Sequence, residues 1–304
     1  MRKRRYINGF LPVAWTLLAS GRGRLFDNPR DLVMDLKTSW LGLELKNPFV
    51  PSASPLSRSL ETAQRLQDAG AAAIVMYSLF EEAVRAEEEG MTRFLHHQET
   101  GNAEAASYLP AKQDFPGELD RYLEQIAALK ATLEIPVVAS LNGVTASGWI
   151  EHASEIADAG ADALELNIYY VAADIQEDGL QVEQRYLRVL QELYKRVEIP
   201  INMKLSPFFS SVGNMVRQLE AAGASGVSLF NRFYQPDIQI DGLRLNNALP
   251  ATRSADALLA MHWVAILHGR VGCSIGATGG VHDSEDAIKM LLAGADVVHL
   301  CHAL

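Results

Sequence analysis

Cysteine and positive charge are both scarce in this sequence. Only two cysteines, Cys273 and Cys301, occur among 304 residues, which argues against a disulfide framework and is typical of a reducing compartment. The 27 lysines and arginines are outnumbered by 37 aspartates and glutamates, and the net charge of −10 argues against partners such as nucleic acid or an anionic membrane surface. We therefore expect a cytoplasmic protein that acts on a small molecule.

No long apolar run offers a membrane span. The apolar stretch Phe10–Ala19 is too short to cross a bilayer as a helix, although it follows the basic stretch Met1–Arg5 and so has the outline of a weak signal peptide. The first domain-like segment begins after Met34. We interpret residues 1–33 as a leader or a disordered extension and residues 34–304 as one domain.

Past this N-terminal stretch, short apolar runs alternate with amphipathic stretches of helical spacing. Nearly continuous apolar runs are typical of parallel strands that are covered on both faces. Ala-Gly-Ala precedes several of the runs, and glycine there can end a helix. The eight predicted strands are Phe49–Ala53, Ala73–Ser78, Val137–Leu141, Ala163–Asn167, Ile201–Leu205, Gly226–Phe230, Val271–Ala277 and Val297–Leu300.

Eight strands that alternate with helices predict an α/β fold, a (β/α)8 TIM barrel. The alternative is an open doubly wound sheet, but no Gly-x-Gly-x-x-Gly turn follows the first strand. The sequence stops at Leu304, directly after the eighth strand, so we expect a barrel without its last helix. Polar side chains near the ends of the strands, among them Asn142, Asn167, Lys204 and Asn231, should then meet at the C-terminal rim, where such barrels keep their active sites.

Thr278-Gly279-Gly280 ends the seventh strand, and a helix should begin near Asp283. Glycine lets backbone N–H groups approach an anion, and a helix N-terminus favours negative charge, so this pattern is typical of a phosphate-binding loop. A simple glycine turn would give the same sequence. No histidine, cysteine or carboxylate residues have the spacing of a metal site, and we expect no metal.

Lys204 lies inside an apolar strand, where an ammonium needs a polar or anionic partner. It either points into the barrel towards a ligand such as the N1/O2 edge of a flavin, or it points outwards between helices. Asn142, Asn167 and Asn231 end three other strands, and their amides suit a ring with both donor and acceptor edges.

These residues resemble the dihydroorotate dehydrogenase family, FMN-dependent barrel enzymes of pyrimidine synthesis, and are most similar to its dihydroorotate dehydrogenase-like subgroup. The resemblance implies FMN as the cofactor and substrate contacts at Asn167 and Asn231. The stretches that carry it include Leu43–Ser54, Leu164–Asn167, Lys204–Pro207, Ala277–Val281 and Ala293–Leu304. The FMN contacts that it implies are Ala53, Ser54, Asn142, Asn167, Lys204, Gly279, Gly280, Cys301 and His302.

Several positions depart from the family pattern. The lysine that the family has at the end of the second strand is missing from Val75–Ser78, Tyr170 stands at the position of the catalytic base, and Ala172 replaces a substrate-binding asparagine. Tyr170 either gives a proton to the substrate, with Arg232 as a candidate cation nearby, or only shapes the pocket.

The resemblance thus predicts an FMN-dependent oxidoreductase that moves a hydride at a C–C bond beside a carbonyl. By similarity its reaction is the oxidation of dihydroorotate to orotate. The alternatives are a flavin ene-reductase with another substrate and a flavin-binding protein without turnover. A homodimer is expected.

Overall fold

A computed structural model of the chain describes residues 35–87, 117–143, 146–232, 236–246, 251–301 and 303–304. The predicted leader, residues 1–33, lies outside them. Eight parallel strands form one sheet, in which the first and last along the sheet are β3 (Phe49–Pro51) and β4 (Ile74–Phe80). The other six are β5 (Val137–Asn142), β6 (Ala163–Asn167), β7 (Ile201–Leu205), β8 (Gly226–Leu229), β11 (Ser274–Thr278) and β12 (Val297–Leu300).

The sheet curls into a nearly closed barrel. It runs in the order β3-β12-β11-β8-β7-β6-β5-β4, and its two ends meet where the backbone N–H of Ala72 donates to the carbonyl of Phe49 at 3.0 Å. The predicted (β/α)8 TIM barrel is therefore confirmed. Its helices are α1 (Leu60–Asp68), α2 (Glu118–Thr132), α3 (Ala146–Asp158), α4 (Gly179–Tyr194), α5 (Val212–Ala221), α6 (Ala257–Leu267) and α7 (Ser284–Ala293), with a further helical stretch over residues 81–87.

Alternation along the strands divides the core in two. On β6, for example, Leu164 and Leu166 are fully buried against the helices in the main apolar cluster, whereas Glu165 faces the barrel interior. On β6 and β7 the inward side chains Glu165, Asn202 and Lys204 are polar, whereas a second apolar cluster around Trp40 fills the N-terminal end of the barrel. No helix in the described part of the chain is long and apolar enough to cross a membrane.

Two antiparallel hairpins were not predicted from the sequence. The first, β1 (Thr38–Trp40) with β2 (Leu43–Leu45), plugs the N-terminal end of the barrel: Trp40 is fully buried, and the Leu41 N–H donates to Ser274 Oγ at 3.0 Å. The second, β9 (Asp237–Gln239) with β10 (Arg244–Asn246), lies in the long connection between β8 and α6 and is exposed. One predicted strand was also misplaced at its start, since β11 begins at Ser274 rather than at Val271.

Candidate functional site

The predicted convergence of polar strand ends is present. The register of the sheet pairs Asn142 with Asn167 across β5 and β6, and Asn167 with Lys204 across β6 and β7. The amide of Asn231, just after β8, donates from Nδ2 to Asn167 Oδ1 at 3.0 Å. Four of the candidate cofactor- and substrate-binding residues therefore share the C-terminal rim, with Asn167 at the centre.

Lys204 points into the barrel, so the alternative of an outward lysine is wrong. The residue is only 8% exposed, and its Nζ lies 3.2 Å from Glu165 Oε1 and 3.5 Å from Ser52 Oγ. Its side chain thus reaches across from β7 towards the residue that follows β3. A cation at this depth can interact with any ligand that fills the mouth of the barrel.

Below Lys204, polar side chains form a chain through the barrel interior. Asn202 Nδ2 donates both to Glu165 Oε2 at 3.2 Å and to Ser228 Oγ at 2.9 Å, and Ser228 Oγ lies 3.1 Å from His299 Nε2. Burial lowers the pKa of His299 to about 4, so its ring is neutral at pH 7. The chain therefore carries one cation, Lys204, and one anion, Glu165.

The loop after β11 has the shape expected of an anion-binding turn. Gly279 and Gly280 both have positive φ, at +92° and +71°, and nothing lies within 4 Å of the place where a Cβ of Gly279 would be. A Cβ on Gly280 would lie only 2.3 Å from the backbone nitrogen of Ala257, so glycine here lets the loop pack against α6. The open space beside Gly279 is where a phosphate can approach the backbone.

The helix after this loop begins as predicted, but its N-terminus is already capped. Asp283 precedes α7 and accepts a hydrogen bond from the Asp286 N–H at 3.0 Å. The Asp286 carboxylate in turn accepts from Ser254 Oγ at 2.7 Å and from the His282 N–H at 3.1 Å, and these bonds, that of Ser254 foremost, lower its pKa. The Asp283 side chain therefore already occupies one of the backbone N–H groups at the start of α7.

The remaining candidate cofactor residues follow β3 and β12. Ser52, the residue before Ala53, donates its N–H to the carbonyl of Leu300 at 2.7 Å, so the turn that holds Ala53 and Ser54 lies beside Cys301. Ala53 and Ser54 are half-buried, and Cys301 is exposed. His302, the last member of the set, lies outside the described residues.

Tyr170 is held from the side of α4. Its hydroxyl donates to the Glu177 carboxylate, and the Arg185 guanidinium lies 4.1 Å from the centroid of its ring and also bonds Glu177 at 2.8 Å. The hydrogen bond to Glu177 is the main reason why the pKa of Tyr170 is raised above its ordinary value. The cation at Tyr170 is therefore Arg185, not the Arg232 suggested by the sequence, and the hydroxyl stays protonated at neutral pH.

Tyr77 and Ser78 lie near the end of β4, where the lysine of the family pattern is missing. Tyr77 turns outwards, with its ring edge-on to Tyr122 at 5.1 Å and the Arg58 guanidinium 4.1 Å above it. Ser78 turns inwards, and its hydroxyl lies 2.9 Å from that of Ser140 on β5. Because Ser140 pairs with Glu165 in the sheet, these two hydroxyls line the barrel interior one layer below the rim.

Sequence reasoning missed Glu165 and Arg185. Glu165 stands between two leucines in a predicted buried strand, and a charge in that position needs a partner just as Lys204 does. Reading the neighbouring strands together would have paired the two. Nothing in the local sequence marks Arg185, which reaches Tyr170 only because α4 folds back over the loop after β6.

The sequence of the chain is similar to those of known proteins. The family model described as dihydroorotate dehydrogenase matches residues 35–304. The dihydroorotate dehydrogenase B (NAD(+)) catalytic subunit of Halalkalibacterium halodurans is 27% identical over 190 residues, which span 60% of this chain and 61% of that relative. The subunits of the same name from Geobacillus sp. and Methanothermobacter thermautotrophicus are 26% and 27% identical, over 84% and 88% of this chain and 81% and 87% of their own lengths.

Proposed function

Because the chain belongs to the dihydroorotate dehydrogenase family, we propose that it oxidises dihydroorotate to orotate with FMN bound at the mouth of its barrel. Membership makes it a flavin-dependent oxidoreductase that acts on CH–CH groups. The observation that carries the proposal is the position of Lys204, a lysine buried inside the barrel beside Asn167 at the rim. A cation and amides placed in this way suit a flavin, whose ring has both donor and acceptor edges.

The residues present fit FMN rather than FAD. The open space beside Gly279 offers a place for one phosphate, and the sequence has no dinucleotide fingerprint after its first strand. Lys204 would lie against the flavin ring together with Asn142 and Asn167, while Gly279, Gly280 and the residues after β12, Cys301 and His302, would hold the phosphate. When bound, the flavin supplies the hydride acceptor that no amino-acid side chain can provide.

Asn167 and Asn231 would bind the substrate. Their amides are already joined at 3.0 Å, so each retains a donor or an acceptor for a carbonyl or an N–H of a bound ring. Tyr170 would handle the proton. Because its hydroxyl is protonated and donates to Glu177, it can take a proton from the substrate only while it passes its own to Glu177, and it can also act as a donor.

A second candidate is an ene-reductase for another substrate. It is favoured by Tyr170 and Ala172, which stand where the family has its base and a substrate-binding asparagine, and by the exposure of Ala172. A site built to pair with polar groups of one ligand discriminates strongly, so the loss of an amide weakens the recognition of dihydroorotate.

The test is an anaerobic half-reaction. Purified holoprotein is mixed with dihydroorotate under argon, and the flavin absorbance is followed; in parallel, dithionite-reduced holoprotein is mixed with orotate and with a panel of unsaturated carbonyl compounds. Bleaching by dihydroorotate supports the proposal. Reoxidation by a panel member without any reaction with dihydroorotate or orotate would favour the ene-reductase, and no reaction at all would leave a flavin-binding protein without turnover.

We also propose a homodimer in the cytoplasm. The location is supported by the scarcity of cysteine, and the dimer by the resemblance to the family. Light scattering during size-exclusion chromatography tests the dimer, and an apparent mass near the 33.3 kDa of one chain would contradict it.

A further inference from the structure

The barrel interior contains a buried ion pair. Lys204 and Glu165 lie on neighbouring strands, with 3.2 Å between Nζ and Oε1, and they are 8% and 1% exposed. Two charges at this depth are stable only together, because removing one leaves the other without solvation. The pair also lies directly below the rim that carries Asn167.

The carboxylate of Glu165 is fixed from both sides. Oε1 accepts from Lys204, and Oε2 accepts from Asn202 Nδ2, whose position is set in turn by its second bond, to Ser228. An acceptor held at both oxygens cannot follow a mobile lysine, so the lysine adapts to the carboxylate. Glu165 thus determines where the ammonium lies.

The groups that face Lys204 supply no other charge. These groups are Glu165 on β6, the neutral ring of His299 on β12, the hydroxyl of Ser228 on β8 and the hydroxyl of Ser52 just after β3. Among the described residues of these strands, Glu165 is therefore the one anionic partner of the ammonium. An ammonium has three donors, of which Glu165 and Ser52 take two at 3.2 and 3.5 Å, and the third is available to a ligand at the mouth.

We propose that Glu165 is a positioning residue for the flavin: it fixes the Lys204 ammonium in a position directed at the mouth of the barrel. This rests on the proposed function, because it assumes that a flavin occupies the mouth. Lysine has a flexible four-carbon stem, and an anchor below its charge removes the entropic cost of fixing it when the ligand binds.

The proposal has two measurable consequences. A positive charge beside the flavin favours the form that carries more negative charge, so an ammonium in place raises the reduction potential. In Glu165→Gln the amide keeps the size of the side chain but not the charge, so the ammonium loses the anion that fixes its position. We expect Glu165→Gln to weaken FMN binding by about tenfold or more, and Lys204→Met, which removes the positive charge itself, to lower the reduction potential as well.

The experiment measures FMN affinity and reduction potential in four proteins: the parent, Glu165→Gln, Lys204→Met and the double variant. If Glu165 acts through Lys204, Glu165→Gln weakens FMN binding in the parent but adds little to the loss that Lys204→Met has already caused. The matched control is Asp162→Asn, which removes a carboxylate 2.7 Å from Lys130 at the opposite end of the barrel. It should lower the melting temperature and leave the FMN affinity and the potential unchanged.

A parent protein that binds FMN, with an affinity that Glu165→Gln leaves unchanged or weakens equally with and without Lys204, overturns the positioning role and leaves the proposed function intact. A parent protein that does not bind FMN overturns the proposed function itself, and the inference with it. If Glu165→Gln fails to fold, Asn202→Leu replaces it: this variant keeps both charges but frees one oxygen of Glu165, and an unchanged affinity and potential there would overturn the inference.

Discussion

At the scale of single residues, the ionisation of Tyr170 depends on its neighbour Glu177. The hydrogen bond to Glu177 is the largest cause of its raised pKa, so Glu177→Gln should move the pKa of Tyr170 back towards its ordinary value of about 10. An ultraviolet titration of tyrosinate in the apoprotein measures this shift. Tyr170→Phe is the control, because it deletes this titration and no other. An unchanged titration curve in Glu177→Gln would mean that the two side chains are not bonded in solution.

The same hydroxyl separates a chemical role from a packing role. If Tyr170 handles the substrate proton, Tyr170→Phe should slow the substrate half-reaction by about 10²–10⁴-fold while FMN affinity stays unchanged. Phenylalanine keeps the ring under Arg185, so the packing of the pocket is conserved. Stopped-flow absorbance under argon checks this. Turnover at the parent rate would assign Tyr170 to packing alone.

His299 makes folding sensitive to acid. Its folded pKa of about 4 is below the unfolded value of about 6.5, so between these values the unfolded chain binds more protons than the folded one. The stabilisation is complete above pH 6.5 and is lost as the pH falls towards 4, by about 3 kcal/mol in total. Denaturant unfolding at pH 7.5 and 5.0 measures the loss. His299→Gln should lose less stability over this range, and an equal loss in both proteins would contradict the argument.

At the scale of elements, the loop after β11 depends on a glycine for packing. Gly280 and Gly269 have nearly equal φ, +71° and +70°, but a Cβ on Gly280 would meet the backbone of Ala257, whereas nothing lies within 4 Å at Gly269. Both alanine variants carry the same backbone strain, so Gly280→Ala should cost about 1–3 kcal/mol more in unfolding free energy than Gly269→Ala. Equal costs would mean that the loop moves freely away from α6.

The β1–β2 hairpin closes the barrel at the end opposite the candidate site. Trp40 is fully buried there, and its ring meets that of His299 edge-on at 5.4 Å. Trp40→Ala should lower the unfolding free energy by about 3–5 kcal/mol, whereas Trp40→Phe should lower it less. Denaturant titration of both variants tests this. A small loss in Trp40→Ala would show that the plug contributes little to the barrel.

Some elements were easier to predict from the sequence than others. The eight sheet strands have apolar runs that are buried on both faces, and that pattern is local, so it can be read without knowing the fold. The hairpins are different: Thr38–Trp40 and Leu43–Leu45 are three residues each, too short for periodicity to show. Their place at the base of the barrel depends on contacts with Ser274 and His299, which are more than 230 residues away.

At the scale of the whole molecule, it is easier to predict from the sequence which residues lie together than to predict the role of each. Once a parallel barrel is predicted, Asn142, Asn167 and Lys204 must share one rim, because parallel strands all end on the same side. The bonds that orient them could not be predicted. Which oxygen of Glu165 meets Lys204, and which way Tyr170 turns, depend on packing between strands and helices that are distant in the sequence.

The central claim is that the barrel mouth around Lys204 binds FMN, and an equilibrium titration tests it most directly. FMN fluorescence is followed as apoprotein is added, for the parent and for Lys204→Met. We predict saturable binding of FMN by the parent and at least about tenfold weaker binding by Lys204→Met, since a charge-assisted hydrogen bond is lost from a buried site. Equal affinities in the two proteins, or no saturable binding by the parent, would contradict the account.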